Sequence, residues 1–279
     1  MILREPSLPP GWYPRQREKI EEFLETFKKA KEALPAAQAA IAPHAGWYYS
    51  GHLAALAVSS LESDAETVAV IGGHLPAGAP VLAAREDGVK TALGPMIIDK
   101  ELRDAFEKRI STAPDSYRDN TVEVLLPMAR YFFPESMLLW LRFPAELSSF
   151  EAGKILAETA VSLGRRIVVL SSTDLTHYGR NYGFSPRGSG KPALEWMKKS
   201  NDAAFINAVL KGDPSVVLKR AEDDSSACSA GAVLGALGFA SLKGKSAKLL
   251  EYSTSTDVRE SEDDEVPDSF VGYAAISFS

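Results

Sequence analysis

Four short apolar runs constrain this chain more than any other feature: "AAIA" (39–42), "TVAVI" (67–71), "MLLWL" (137–141) and "IVVLS" (167–171). Each is of strand length and lacks polar alternation, so each reads as a strand buried on both faces, as in a parallel sheet. Between them lie stretches with helical character, "HLAALAVSSL" (52–61), "DKELRDAFEKR" (99–109) and "FEAGKILAETAVSLG" (150–164). An earlier helix follows Pro14, with Ile20, Phe23, Leu24, Phe27 and Leu34 at helical spacing among charges. Strands alternating with helices predict an α/β fold, a single domain over 1–279 with a central, mostly parallel (mixed) sheet flanked by helices.

The last third extends the pattern. "PALEWMKKSNDAAFINAVLKG" (192–212) reads as a helix, and the small-residue run "SSACSAGAVLGALGFA" (225–240) reads as a second, buried helix carrying Cys228. Strands are expected at "AKLLEYS" (247–253) and "SFVGYAAISF" (269–278), and surface loops at 183–192 and 257–269. The second loop is too acidic and too poor in apolar residues to pack.

Composition narrows the partners. The formal net charge of −6 supplies no basic footprint for a nucleic-acid backbone. One cysteine excludes an internal disulfide. The opening "MILREPSLPPGWYP" lacks the apolar run of a signal peptide, and no stretch approaches the roughly 20 apolar residues of a membrane span. A cytoplasmic protein with no membrane association is the expectation.

Three of the four histidines follow predicted buried strands: His44 after "AAIA", His74 in "IGGH" and His177 in "SSTDLTHYG", three residues beyond Asp174. In open α/β sheets the carboxyl ends of the strands form the ligand crevice, so residues distant in sequence converge there. A single such histidine is more often a satisfied structural group, but three in the same kind of position favour a site. His52 is expected to open the helix 52–61 and to serve structure alone.

Two neutral imidazoles suit a divalent metal, with a third protein ligand drawn from Cys228, Asp174, Glu123, Asp223 or Asp224. His177 and Asp174 also suit a general acid or base oriented by a carboxylate. Gly46 and Gly51 are expected to form turns around "WYYS", and Gly72 and Gly73 to let the backbone approach a ligand. Trp47, Tyr48 and Tyr49 are candidate pocket walls, although aromatics beside a turn are more often core. "SSTDLTH" holds Ser, Asp and His, but triad members converge from separated segments and no G-x-S-x-G elbow is present. Nor is there a P-loop, a G-x-G-x-x-G fingerprint or an H-E-x-x-H motif.

Taken in order, "GWYP", "PHAGWYYSG", the histidine ending the next strand, "TALG" (91–94), "VEVLLP" (122–127), "SSTDLTHYG", Cys228 and "VGYAA" (271–275) resemble the Memo family along essentially the whole chain. The resemblance implies a fold similar to class III extradiol dioxygenases, non-haem iron enzymes that open catechol-type rings with two histidines and a carboxylate on the metal. By motif, His44 and His74 would match the two metal-ligand histidines and Cys228 the family cysteine standing at the acidic ligand's place. His177 would match the catalytic base, with Asp174 beside it. A thiolate makes the ligand set softer, better suited to copper or zinc than to iron.

This chain departs from the family pattern at several points. "IGGH" stands for a G-P-N-H-like stretch, placing Gly72 and Gly73 before the histidine, and Ser229 follows the cysteine where glycine is usual. Asn120 takes the histidine position of an E-H-S-x-E motif, whereas Glu123 matches the retained glutamate; both are candidate pocket residues. Two functions compete: a metal-dependent redox or oxygenase-like enzyme acting on a small unsaturated molecule, and a non-catalytic module that captures a small ligand or peptide in the same crevice. The resemblance further implies a radical S-adenosylmethionine protein as a pathway partner.

Overall fold

A computed structural model describes residues 1–28, 34–258 and 266–279. Its strands are β1 (Leu3–Arg4), β2 (Ala39–Ala42), β3 (Thr67–Leu75), β4 (Val81–Ala83), β5 (Gly88–Val89), β6 (Met96–Ile97), β7 (Thr112–Pro114), β8 (Met137–Pro144), β9 (Ile167–Ser172), β10 (His177–Gly179), β11 (Ala247–Thr254) and β12 (Ser269–Phe278). The main sheet runs β10-β12-β2-β9-β3-β8-β4-β7, with β11 paired to β12, and β1-β5-β6 form a small second sheet.

The four apolar runs become β2, β9, β3 and β8, adjacent and mutually parallel at the sheet centre. β12 runs antiparallel to β2 and β4 antiparallel to β8, which makes the sheet mixed. Alternate residues serve opposite cores: Ala40, Ala42, Val68 and Val70 pack on one side, and Ala39, Ile41, Ala69 and Ile71 on the other. Burial of both faces is why these strands needed no polar alternation.

On the first side lie the helices Arg17–Glu25, Trp47–Ser59 and Leu126–Phe132. On the second lie Lys100–Glu107, Ser148–Ser162 and Ala230–Leu242. In the last of these every residue from Ala230 to Ala240 is buried, as an all-apolar helix requires.

Several boundaries differ from the expectation. The first helix ends at Glu25, and its forecast continuation falls partly on residues 29–33, outside the described residues. The core of the acidic loop, 259–265, also lies outside them. The helix forecast from His52 begins at Trp47, with Gly46 as its N-cap. "WYYS" is therefore the first helical turn, and His52 sits inside the helix, its Nε2 3.6 Å from Glu251 Oε1. Gly51 makes no turn: a Cβ there would lie 2.9 Å from the Trp47 Cβ and 3.2 Å from the Phe23 ring.

The 192–212 helix contains a π-type stretch, Met197–Asp202, between two α-helical segments. Sequence reading missed the helix Pro214–Asp223, capped by Asp213, and the short Asn120–Glu123 and Leu126–Phe132 helices. No helix among the described residues is long and apolar enough to cross a membrane.

Candidate metal centre

His44, His74 and Cys228 converge at the carboxyl ends of the parallel strands, their ligand atoms all within 4.8 Å of one another. They arrive from three places in the chain. His44 lies two residues past β2. His74 lies within the distorted end of β3, where the register against β8 shifts between Gly72 and Leu75, and its φ of 56° is in the left-handed region that non-glycine residues seldom occupy. Cys228 stands just before the helix Ala230–Leu242 rather than on it, with Ser229 as the N-cap residue.

Hydrogen bonds aim both imidazoles. The Ser172 hydroxyl donates its only proton to the Thr121 carbonyl, so it can only accept from His44 Nδ1, 3.0 Å away. That leaves His44 Nε2 facing Cys228 Sγ at 3.2 Å. His74 Nδ1 lies 3.0 Å from Asp119 Oδ2, and Arg142, buried beneath, reaches the same oxygen at 3.2 Å. Its Nε2 is likewise left for the cluster. A carboxylate or hydroxyl behind each ligand histidine is the arrangement that fixes tautomer and ring orientation in metal sites.

Asp174 joins two of the ligand-bearing segments. Its Oδ1 accepts the His44 amide at 2.8 Å, and its carbonyl accepts the Cys228 amide at 3.2 Å. Burial pushes its carboxyl upward. His177 Nδ1 lies 3.1 Å from the Leu175 carbonyl, to which it can only donate, so Asp174 is not the group that orients this ring.

The electrostatics favour a thiolate among imidazoles. Burial opposes ionisation of Cys228, but the positive potential and hydrogen bond of His44, with a hydrogen bond to His74, outweigh it and bring the thiol down to about 6. Burial likewise opposes charge on His74, yet hydrogen bonds with Asp119 and Cys228 raise it to about 10. Burial pushes Asp119 upward too, but His74, Thr121 and Arg142 hold it well below the usual carboxylate range.

The donor set fits a metal ion. Bonds of about 2.1 Å to nitrogen and 2.3 Å to sulfur place tetrahedral donors roughly 3.5 Å apart. Cys228 Sγ and His44 Nε2 are already 3.2 Å apart, all three donors lie within 4.8 Å of one another, and a crevice of about 860 Å³ opens beside them. Asn120, Tyr48, Tyr49 and His177 line it, and Asn120 Nδ2 donates to the His44 carbonyl at 2.9 Å.

Other forecast residues lie elsewhere. Trp47 is buried, with its indole N–H on the Val124 carbonyl at 3.0 Å and its ring against Phe23, so it is core rather than wall of this crevice. Glu123 binds the N-terminal segment: its carboxylate accepts from the Ser7 amide (2.8 Å), the Ser7 hydroxyl (2.5 Å), the Leu8 amide (3.0 Å) and the Tyr13 hydroxyl (3.0 Å). These four donors occupy it, so it is neither ligand nor pocket residue. Asp223 and Asp224 pair with Lys219 and Arg220 on a surface helix, away from the cluster.

Gly72 and Gly73 admit neighbours rather than ligand: a Cβ at Gly72 would lie 2.2 Å from Thr121 Oγ1, and one at Gly73 2.4 Å from Ser229 Cβ. Sequence reading missed Asp119, the partner of His74, and Trp12, Tyr182 and Tyr273, which line the crevice. Only Asp119 carried a local signal, as the N-cap of Asn120–Glu123, where it accepts the Thr121 amide at 2.8 Å.

Fold and site together define a mixed α/β protein with a His-His-Cys cluster at the carboxyl ends of its central parallel strands. A family model, Memo-like protein, matches residues 4–277, and the chain belongs to the Memo family. It is 31% identical over 288 residues to a MEMO1 family protein of Methanosarcina mazei and 29% identical over 292 residues to one of Pyrococcus abyssi, covering 99% of each chain in both pairs. The crystal structure of an uncharacterized protein of Escherichia coli shares the fold, with a TM-score of 0.52 at 13% identity, covering 86% of this chain and 99% of that one.

Proposed function

We propose that this protein is a metal-dependent enzyme of redox or oxygenase-like type, acting on a small unsaturated molecule held in the crevice. One observation carries the reading: His44 and His74 each have Nδ1 engaged from behind, by Ser172 and by Asp119, so both direct Nε2 toward Cys228. Two imidazoles and a thiolate form a soft set that favours zinc or copper over iron. Such an ion, when bound, supplies Lewis acidity or redox capacity to a ligand entering from the crevice.

The chain's own residues would do the rest. His177, with Nδ1 on the Leu175 carbonyl, has Nε2 free to take a proton at the crevice wall. Asn120 and Asp174 hold the His44 backbone in place. Metal analysis of anaerobically prepared protein tests the reading: about one ion per chain is expected, lost on His44→Ala or His74→Ala. A sample that binds no iron, copper or zinc overturns it.

A second reading rests on the crevice mouth, where Tyr48, Tyr49 and Tyr182 are 68%, 45% and 47% exposed. Exposed aromatics suit capture of a peptide or small ligand without turnover. Binding lost on mutating these tyrosines, yet unchanged in metal-site variants, would favour capture over catalysis.

A further inference from the structure

A second groove of about 480 Å³ continues from the metal crevice, the two sharing Pro10, Gly11 and Tyr48. Its apolar walls are Tyr13, Phe23 and Trp47, and its charged lining groups are Arg15 and Lys19, with no carboxylate among the described lining residues. In a chain of net charge −6, a groove whose described charged lining groups are two cations selects the sign of its occupant.

Arg15 is held in place: its guanidinium lies 4.2 Å above the Tyr13 ring and donates to the Tyr13 hydroxyl and the Leu8 carbonyl, each at 2.5 Å. A guanidinium has five N–H donors, so these two bonds leave others for a ligand. Lys19 stands on the helix Arg17–Glu25 one turn before Phe23, and no salt bridge among the described residues engages it. Glu18, Glu21, Glu22 and Glu25 of that helix fall outside the groove lining. The carboxylate underneath, Glu123, is already occupied by its four donors.

We infer that the ligand of this protein is an elongated amphipathic carboxylic acid, its apolar arm over Trp47 and Phe23, its carboxylate at Arg15 and Lys19, and its other end in the metal crevice past Tyr48. This specifies the substrate class of the proposed enzyme and rests on that reading only for the reacting end. An acid-bearing arm anchored away from the reacting end would position that end without competing for the metal ligands.

Phenylbutyrate, phenylbutanol and phenylbutylamine share one apolar arm and differ in terminal charge. Calorimetric titration of each into the full chain, with and without one equivalent of zinc, reads the groove. The acid is expected to bind about tenfold tighter than the amine in both forms, with the alcohol between them. Lys19→Glu should remove most of that preference, and Tyr48→Ala should weaken all three. Equal affinity for the three probes, or an acid preference unchanged by Lys19→Glu, overturns the inference. Binding of zinc, copper and iron measured on the same preparation separates the two readings: intact metal binding with charge-blind probes defeats the groove alone, and a charge-selective groove in protein that binds none of the three defeats the metal site alone.

Discussion

The Nδ1 of His74 lies 3.0 Å from Asp119 Oδ2, and the buried Arg142 guanidinium holds the same carboxylate at 3.2 Å. Arg142 Nε also donates to the Gly73 carbonyl at 2.9 Å, so one cation supports both the side-chain partner and the backbone before His74. Backbone strain at His74 is thereby balanced by fixed contacts on two sides.

Asp119→Asn should weaken metal binding by about 10- to 100-fold, the usual effect of losing a carboxylate behind a ligand histidine. Asparagine caps a helix as well as aspartate does, so the short helix at 120–123 should persist. Zinc titration alongside thermal melting checks this, with affinity falling more than stability.

Cys228 in metal-free protein should alkylate with a pH midpoint near 6, because His44 and His74 favour the thiolate over the burial that opposes it. The iodoacetamide rate should therefore level off by neutral pH. His44→Ala should move the midpoint upward, and bound metal should suppress the reaction.

Gly73→Ala would drive a Cβ to 2.4 Å from the Ser229 Cβ. Overpacking of this kind costs about 1–3 kcal/mol. Ser229→Gly alone should cost little, since the Ser229 side chain makes no helix-capping bond, and the double variant should recover part of the loss, the Cα at 229 still lying 2.9 Å from the new Cβ. A double-mutant cycle of denaturant unfolding measures that coupling.

Asp202 gives the fold a pH dependence away from the metal cluster. Burial raises its carboxyl to about 6, despite hydrogen bonds from Thr176 and Tyr252 that favour the anion. Its folded pKa exceeds the ordinary value of about 3.9, so the native state takes up the proton first. The resulting stability is full below the unfolded pKa and is lost as pH rises through about 6. Asp202→Asn should flatten the melting temperature between about pH 4 and 7, measured by scanning calorimetry.

The departures "IGGH" and Ser229 are far apart in sequence, yet they meet: Ser229 occupies the space that a side chain at 73 would need. Reading along the chain made each look like an isolated loss of pattern. In space they are one packing adjustment that keeps His74 and Cys228 close.

Local periodicity was enough to identify β2, β3, β8 and β9 and most of the helices around them, because burial on both faces writes itself into each strand's own residues. It also singled out His44, His74 and His177, which line one crevice, since strand ends are local features. Distinctions between neighbours escaped it. One residue of helix is about 100° of rotation, and that rotation alone puts Trp47 in the core and Tyr48 at the crevice. Asp119 behind His74, Glu123 beneath the N-terminal segment, and Asp174 between His44 and Cys228 arise from contacts dozens of residues apart. The order β2-β9-β3 brings those contacts together, and strand order is set by how the whole core packs rather than by any one segment.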